Sequence, residues 1–136
     1  MYLLDTNVIS ELRKAKPHGA VVTWLQSVRE ADILISAITL GEIQRGIELT
    51  REQDAIKARQ IADWADRLCT THNILPMDAQ TFRVCASLMH GKSSALYEDA
   101  MIAATALVHQ LTVVTRNVRD FAQFKVPLMN PFKALQ

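Results

Sequence analysis

The sequence is poor in residues that break a chain or cross-link it. Its 136 residues include only four glycines, four prolines and two cysteines, Cys69 and Cys85. This scarcity of glycine and proline, with a charged fraction of 21%, gives no indication of a disordered tail or linker. The cysteines form no CxxC motif and have no histidine spacing that would hold zinc. We therefore expect free thiols in a reducing compartment.

Long apolar runs and an excess of one charge are also missing. The longest nearly apolar run, 100–108, is far shorter than the roughly 20 residues that cross a bilayer. The N-terminus has no basic stretch followed by an apolar segment of signal length. We therefore expect a soluble, cytoplasmic protein with no membrane partner. The formal net charge of +1 neither favours nor excludes a nucleic-acid partner.

What the sequence does contain is enough apolar material for one core. Hydrophobic residues make up 49% of the chain, and a chain of this length typically buries roughly two-thirds of its surface on folding. There is no internal repeat, no low-complexity segment and no composition shift that would mark a boundary. We predict a single domain over residues 1–136.

Short apolar runs alternate with amphipathic stretches along the chain. Four runs are predicted as strands buried on both faces, and a fifth as an edge strand because it contains Pro127. In chain order they are Tyr2–Leu4, Ile33–Ile35, Asn73–Leu75, Thr112–Thr115 and Val126–Met129. This alternation predicts an α/β protein, a three-layer α/β/α sandwich around a parallel sheet of four or five strands.

Helices are predicted between these strands over 39–48, 51–69, 78–90 and 96–110. Ile56 is predicted to lie on the buried face of the helix over 51–69, and Phe82 on the buried face of the helix over 78–90. Residues 14–19 are predicted as a loop that closes a first short helix.

Four carboxylates lie where such a sheet would bring them together. Asp5 follows the first strand and Asp120 the fourth, while Glu42 and Asp99 lie in the predicted first turns of helices beside the sheet. Ligands of parallel sheets bind at the carboxyl ends of the strands, so we expect the four side chains to converge there. Asp99 also shares a helical stripe with Ile102, which predicts that it faces inward.

Each carboxylate taken alone has an ordinary structural explanation as well. Asp5 has the position of a helix N-cap, and Asn117 and Asp120 have the spacing of a capping box. The helix dipole favours Asp99, and Glu42 is compatible with an ordinary solvated helix position. Inward carboxylates that converge need a counter-charge, however, and no buried lysine or arginine is evident. Mg²⁺ or Mn²⁺ would supply it, because these ions prefer oxygen ligands. Such an ion can activate water against a phosphodiester.

The segments around these carboxylates resemble the motifs of a known family. In chain order they are LLDTNVISE at 3–11, ISAITLGEI at 35–43, DAMIAATA at 99–106 and VVTRNVRDF at 113–121. They resemble the PIN domains of VapC toxins, and the FitB-like branch in particular. The resemblance runs from residue 2 to about 133, where MNPF at 129–132 is similar to the family's Asn-Pro-aromatic tail.

The resemblance implies a PIN-like fold and a Mg²⁺- or Mn²⁺-dependent endoribonuclease, the toxin of a toxin–antitoxin pair. It also implies an RNA substrate, a small antitoxin partner, a homodimer and a higher toxin–antitoxin assembly. The metal-binding and catalytic quartet, by this resemblance, is Asp5, Glu42, Asp99 and Asp120. The residues that support the quartet are Thr6, Ser36, Thr115 and Asn117.

One segment departs from the family's pattern. Residues 91–98 lack the proline-containing approach to Asp99 that many relatives have, and they add Glu98 beside that ligand. Because adjacent helix residues point about 100° apart, Glu98 is predicted to face solvent.

Basic residues near the proposed site are candidates to hold RNA phosphates, and ordinary surface charge explains them equally well. They are Arg13, Lys14, Arg45, Arg116 and Arg119. The four histidines are scattered, which suggests neither a zinc site nor a histidine acid–base pair. Trp24 and Trp64 lie in helical patterns and are expected in the core or an interface.

Two other protein classes also place an aspartate after the first strand. The haloacid dehalogenase type needs a second aspartate two residues on, where this chain has Asn7. A receiver domain needs its acceptor aspartate at the end of the third strand, where this chain has Leu75 and Pro76. Both classes are excluded by these residues. The alternative that stays open is a PIN-like binding or regulatory protein with weak or no catalysis, which a metal-dependence assay would distinguish.

Overall fold

The computed structural model describes residues 1–133 and contains a parallel sheet at its centre. Within that range the strands are β1 (Tyr2–Leu4), β2 (Ile33–Ser36), β3 (Asn73–Leu75), β4 (Thr112–Val114) and β5 (Leu128–Met129). They lie side by side in the order β3-β2-β1-β4-β5, and every neighbouring pair is parallel. The predicted parallel sheet of four or five strands is confirmed with five, and β5 lies at one edge beside Pro127.

Helices cover both faces of this sheet, which confirms the three-layer sandwich. In the described part of the chain they are α1 (Thr6–Glu11), α2 (Gly19–Ser27), α3 (Ala37–Arg51), α4 (Ala55–Thr71), α5 (Ala79–Met89), α6 (Tyr97–His109) and α7 (Val118–Ala122). Helices α1 to α4 supply buried residues to one core cluster, and α5 to α7 supply them to the other. None of these helices has the length and apolar character needed to span a membrane.

The central strand explains why the apolar runs are continuous. Leu3 is in register with Leu34 and Val113, and these three side chains belong to the core cluster under α5 to α7. The next residue, Leu4, belongs to the opposite cluster under α1 to α4. Successive strand residues point to opposite faces, so a strand covered on both sides needs apolar residues at every position.

Several sequence expectations about element limits and burial are wrong. Strand β3 is an edge strand, so Asn73 is exposed instead of buried. Helix α2 begins at Gly19, the last residue of the predicted loop, because the His18 ring accepts a hydrogen bond from the Ala20 amide at 3.2 Å. Helix α4 begins at Ala55, four residues later than predicted, because Asp54 accepts from the Lys57 amide at 3.0 Å and caps it there.

Two apolar side chains assigned to buried stripes are exposed instead. Ile56 is 76% exposed and Phe82 is 45% exposed. The inward stripe of α4 contains Ala58, so Ile56, two positions earlier, lies on the other side of the helix. On α5 the buried positions are Thr81 and Cys85, one turn apart.

Candidate active site

The chain topology places Asp5 at the carboxyl end of the central strand. Its amide donates to the Val114 carbonyl at 2.9 Å, which extends the pairing of β1 and β4 by one residue. Its side chain is only 5% exposed and accepts a hydrogen bond from the Thr6 amide at 2.8 Å through Oδ1. Asp5 is therefore the N-cap of α1 and also a residue at the carboxyl end of the sheet.

Three donors hold the Asp5 carboxylate. Besides the Thr6 amide, the Thr115 hydroxyl donates to Oδ2 at 2.8 Å and the Asn7 amide group donates to Oδ2 at 3.0 Å. Burial raises the pKa of Asp5 above its ordinary value, and these three hydrogen bonds partly offset that rise. The carboxylate is thus fixed in orientation although its charged form is disfavoured.

An open cavity of about 370 Å³ lies beside Asp5. Three further carboxylates line it: Glu42 on α3, and Glu98 and Asp99 in the first turn of α6. Its other lining residues are the neutral side chains Thr6, Asn7, Ser10 and Asn117. We call this cavity the acidic pocket. Glu42 and Asp99 are half-buried and Glu98 is exposed at its edge.

The carboxylates of the acidic pocket repel one another. The pKa of Glu42 rises to about 7, first through burial and then through the charges of Glu98, Asp5 and Asp99. The pKa of Asp99 rises to about 6, first through burial and then through Asp5, Asp120 and Glu98. Within residues 1–133, Glu98 is the one pocket carboxylate with an ion-pair partner, the Arg45 guanidinium at 4.0 Å. The pocket therefore carries uncompensated negative charge.

The fourth member of the predicted quartet stands apart from the other three. Asp120 lies half-buried in the first turn of α7 and does not line the acidic pocket, although its charge helps to raise the pKa of Asp99. In the part of the chain that the structure describes, no three acidic, histidine or cysteine side chains lie close enough to bind one metal ion jointly. The structure brings together Asp5, Glu42 and Asp99 as neighbours, with room between them.

The supporting residues act in different ways. The Thr115 hydroxyl donates to Asp5 and accepts from the Asn117 amide at 2.9 Å. It therefore connects the ends of β1 and β4 to the residue that precedes α7. The Thr6 hydroxyl bonds the Thr39 hydroxyl at 3.2 Å, and its interaction with Glu42 lowers the pKa of that group. The Ser36 hydroxyl accepts from the Ile38 amide at 3.2 Å and caps α3, the helix that carries Glu42, so Ser36 supports the site through the start of that helix.

Two local sequence expectations about these acids are wrong. Glu42 lies in the second turn of α3, because the Ser36 cap starts that helix at Ala37. The Asn117 side chain makes no capping hydrogen bond to α7, so the capping box with Asp120 does not form.

Sequence reasoning missed two residues of the pocket and did not assign a third, Glu98, to it. Asn7 connects the two sides of the site, since it donates to Asp5 and its Oδ1 accepts from the Arg116 amide at 3.3 Å. Ser10, one turn further along α1, lines the same wall. Glu98 is exposed, as predicted, but it also lines the pocket and acts on the pKa of Glu42 and Asp99. The available signal for Ser10 was its position one turn beyond Thr6 and Asn7 on the helix that follows Asp5.

The basic residues have unequal freedom to bind a ligand. The Lys14 ammonium lies 2.8 Å from Glu11, whose pKa is lowered by that contact and by the His18 amide. Arg45 faces Glu98, and the Arg116 guanidinium lies 4.3 Å from the centre of the Phe132 ring. Arg13 and Arg119 are exposed and form no ion pair within residues 1–133.

Known proteins match this chain over nearly its whole length. The PIN domain model matches residues 2–126. Toxin FitB of Neisseria gonorrhoeae is 36% identical, with 97% of this chain and 99% of that protein covered. VapC ribonuclease Y4jK of Sinorhizobium fredii is 33% identical, with 98% and 99% covered. The crystal structure of FitAcB from Neisseria gonorrhoeae superposes with a TM-score of 0.86 at 36% identity, over 97% of this chain and 99% of that one.

Proposed function

From the premise that this chain belongs to the PIN domain family, we propose that it is the ribonuclease toxin of a toxin–antitoxin pair. Two of its relatives carry the names toxin and ribonuclease, and both match almost end to end. The observation that carries the proposal is the acidic pocket, which Asp5, Glu42 and Asp99 line at the carboxyl end of the central strand. Parallel sheets bind their ligands at this edge.

We propose Mg²⁺ or Mn²⁺ as the cofactor, held directly or through water by Asp5, Glu42 and Asp99, with the charge of Asp120 acting on Asp99. The donor set fits, because it consists of oxygen ligands with raised pKa values and no ion-pair partner in residues 1–133. Mg²⁺ keeps several waters and needs only one or two direct carboxylates, which suits a pocket where three do not meet around one point. When bound, such an ion activates water and offsets negative charge on a phosphodiester.

The chain's own residues prepare this pocket before any ligand arrives. Three donors fix the Asp5 carboxylate, and its oxygens keep further lone pairs for a cation. Glu42, with a pKa of about 7, holds a proton in a large fraction of molecules at neutral pH. Binding of a cation favours loss of that proton. Metal affinity should therefore rise with pH between about 6 and 8.

Product analysis tests the reaction. Metal-independent ribonucleases use the 2′-OH of the RNA as nucleophile and need an acid and a base, commonly histidines. No histidine lines the acidic pocket, so water should be the nucleophile. We expect 5′-phosphate and 3′-OH ends, inhibition by chelator, and rescue by Mn²⁺. A 2′-deoxy substitution at the cleaved position should slow cleavage only modestly. A cyclic phosphate end would contradict this chemistry, and RNA binding without chelator-sensitive cleavage would favour a non-catalytic binding protein.

A further inference from the structure

A second cavity adjoins the acidic pocket. It has a volume of about 180 Å³ and lies among α1, α3 and α4. Thr6, Ser10 and Glu42 line both cavities. Away from that shared wall, the lining includes the buried Ile61 and the half-buried Trp64 of α4. We call this cavity the side pocket.

A glycine in the middle of α3 leaves room in the side pocket. Glycine inside a helix is destabilising relative to alanine, so its presence at position 46 calls for a reason. A Cβ at Gly46 would have no atom within 4 Å, so packing inside the chain does not require glycine. Gly46 lines the side pocket, and the missing side chain therefore widens it. Small residues of this kind occur where a ligand approaches the backbone closely.

We propose that the side pocket receives one unpaired nucleobase of the RNA, next to the nucleotide whose phosphate lies in the acidic pocket. This inference rests on the proposed function. Proteins that recognise single-stranded RNA commonly turn bases out of the stack and hold them against aromatic side chains. Trp64 provides the aromatic surface, and the hydroxyls of Thr6 and Ser10 provide hydrogen-bonding groups at the shared wall.

The size and charge of the side pocket favour this occupant. Its volume is below the roughly 300–1,000 Å³ of sites for drug-sized molecules, so it fits one flat ring and excludes a helix. Arg13 also lines it, is exposed and has no ion-pair partner in residues 1–133. A guanidinium at this position can contact the phosphate beside the inserted base. One side chain of a protein partner would also fit, so the affinity for an antitoxin is measured for the same variants.

Filling the side pocket from Gly46, with every carboxylate kept in the sequence, tests the proposal. Gly46→Met places a flexible side chain in the space that glycine leaves open. Gly41→Met is the matched control, because Gly41 lies on the same helix, lines neither pocket, and has equally open space at its Cβ. Both variants should unfold at a temperature equal to or above that of the parent, since each removes a glycine from a helix.

Two readouts are needed. Cleavage is measured as kcat/KM with Mg²⁺ on a short single-stranded RNA and on copies that lack one base near the cleaved bond. Affinity for the same RNAs is measured by fluorescence anisotropy in an Asp99→Asn background, so that the RNA stays intact. Loss of one particular base should reduce both values for the parent roughly tenfold or more. On intact RNA, Gly46→Met should have the same reduced kcat/KM and affinity that the parent has on RNA without that base. Removing the base should then cause no further reduction for Gly46→Met. Gly41→Met should match the parent on every RNA.

Each other outcome has a definite meaning. If Gly46→Met and Gly41→Met have equal kcat/KM and equal affinity whichever base is removed, the nucleobase proposal is wrong and the ribonuclease proposal is unaffected. Base-dependent binding without cleavage by the parent supports the pocket and contradicts the ribonuclease proposal. Absence of both binding and cleavage overturns both. If Gly46→Met weakens only the affinity for an antitoxin, the occupant is a protein side chain and the nucleobase proposal is wrong.

Discussion

The Thr115 hydroxyl donates a 2.8 Å hydrogen bond to Oδ2 of Asp5, which lies 110 positions earlier in the chain. Each of these residues directly follows one of two neighbouring parallel strands, β1 and β4. Their backbones are also fixed, since the Asp5 amide bonds Val114 and the Thr115 amide bonds Met129, both at 2.9 Å. The position of the central carboxylate is therefore set by strand register before any ligand binds.

Replacing Thr115 with valine should destabilise the metal-free protein. Valine keeps the shape but removes the donor, and it leaves a buried carboxylate oxygen short of one partner. We expect a loss of about 1–3 kcal/mol in the free energy of unfolding, measured by urea titration at pH 7. Thr115→Ser keeps the hydroxyl and is the control. Similar losses for valine and serine would show that the methyl group, and not the hydrogen bond, contributes the stability.

The sheet and the position of Asp5 could be predicted from the sequence because a strand that is buried on both faces has a continuous run of apolar residues. Leu3 and Leu4 must both be apolar when helices cover both sides, and a polar residue directly after such a run marks the strand end. The same reasoning located Thr115 at the end of β4. These features depend on local sequence and on one rule of sheet topology.

The rest of the site depends on where helices start and how they are rotated. Ser36 and Asp54 cap α3 and α4 and so determine their first residues. Other polar residues nearby are equally compatible with a capping position in the sequence. The rotation of α6 decides that Glu98 lines the acidic pocket while remaining exposed. The distance of Asp120 from the pocket depends on the packing of α7. Such features depend on tertiary contacts, which cannot be predicted from any single segment of the sequence.

The metal-free protein should lose stability as the pH rises from about 5 to 8. The pKa values of Glu42, about 7, and Asp99, about 6, lie above their ordinary values of 4.5 and 3.8. The native state therefore holds protons that the unfolded state releases, and the free energy of unfolding falls as pH rises through this window. Groups with lowered pKa values, such as Glu11 and Asp78, act in the opposite direction at lower pH. Thermal unfolding in chelator at several pH values measures the slope.

Two variants assign that slope to the acidic pocket. Glu42→Gln removes the group with the higher pKa and should flatten the curve mainly between pH 6 and 8, while Asp99 still contributes at lower pH. Glu98→Gln removes the largest charge contribution to the raised pKa of Glu42 and should flatten it in part. If both variants keep the slope of the parent, the pH dependence arises elsewhere in the chain.

An antitoxin should compete with Mg²⁺ for the acidic pocket. The uncompensated charge of Asp5, Glu42 and Asp99 suits an arginine, whose guanidinium can pair with carboxylates through two hydrogen bonds at once. Inhibition by the antitoxin should weaken as Mg²⁺ concentration increases, and replacement of a single antitoxin arginine by methionine should abolish the competition. Inhibition that is independent of both changes would indicate that the antitoxin acts at another surface.

Asp99→Asn should abolish cleavage and leave the fold intact. The change keeps the size of the side chain but removes a negative charge from a position where burial, and then the charges of Asp5, Asp120 and Glu98, raise the pKa of Asp99. The melting temperature in chelator should therefore hold or rise, because repulsion in the native state is relieved. The rise in melting temperature that Mg²⁺ gives the parent should be reduced or lost, since that rise reports binding to the native state. Asp66→Asn, on the exposed side of α4, is the matched control and should behave as the parent does. Parental cleavage by Asp99→Asn at equal Mg²⁺ concentration would remove Asp99 from the metal site even if the other carboxylates prove essential.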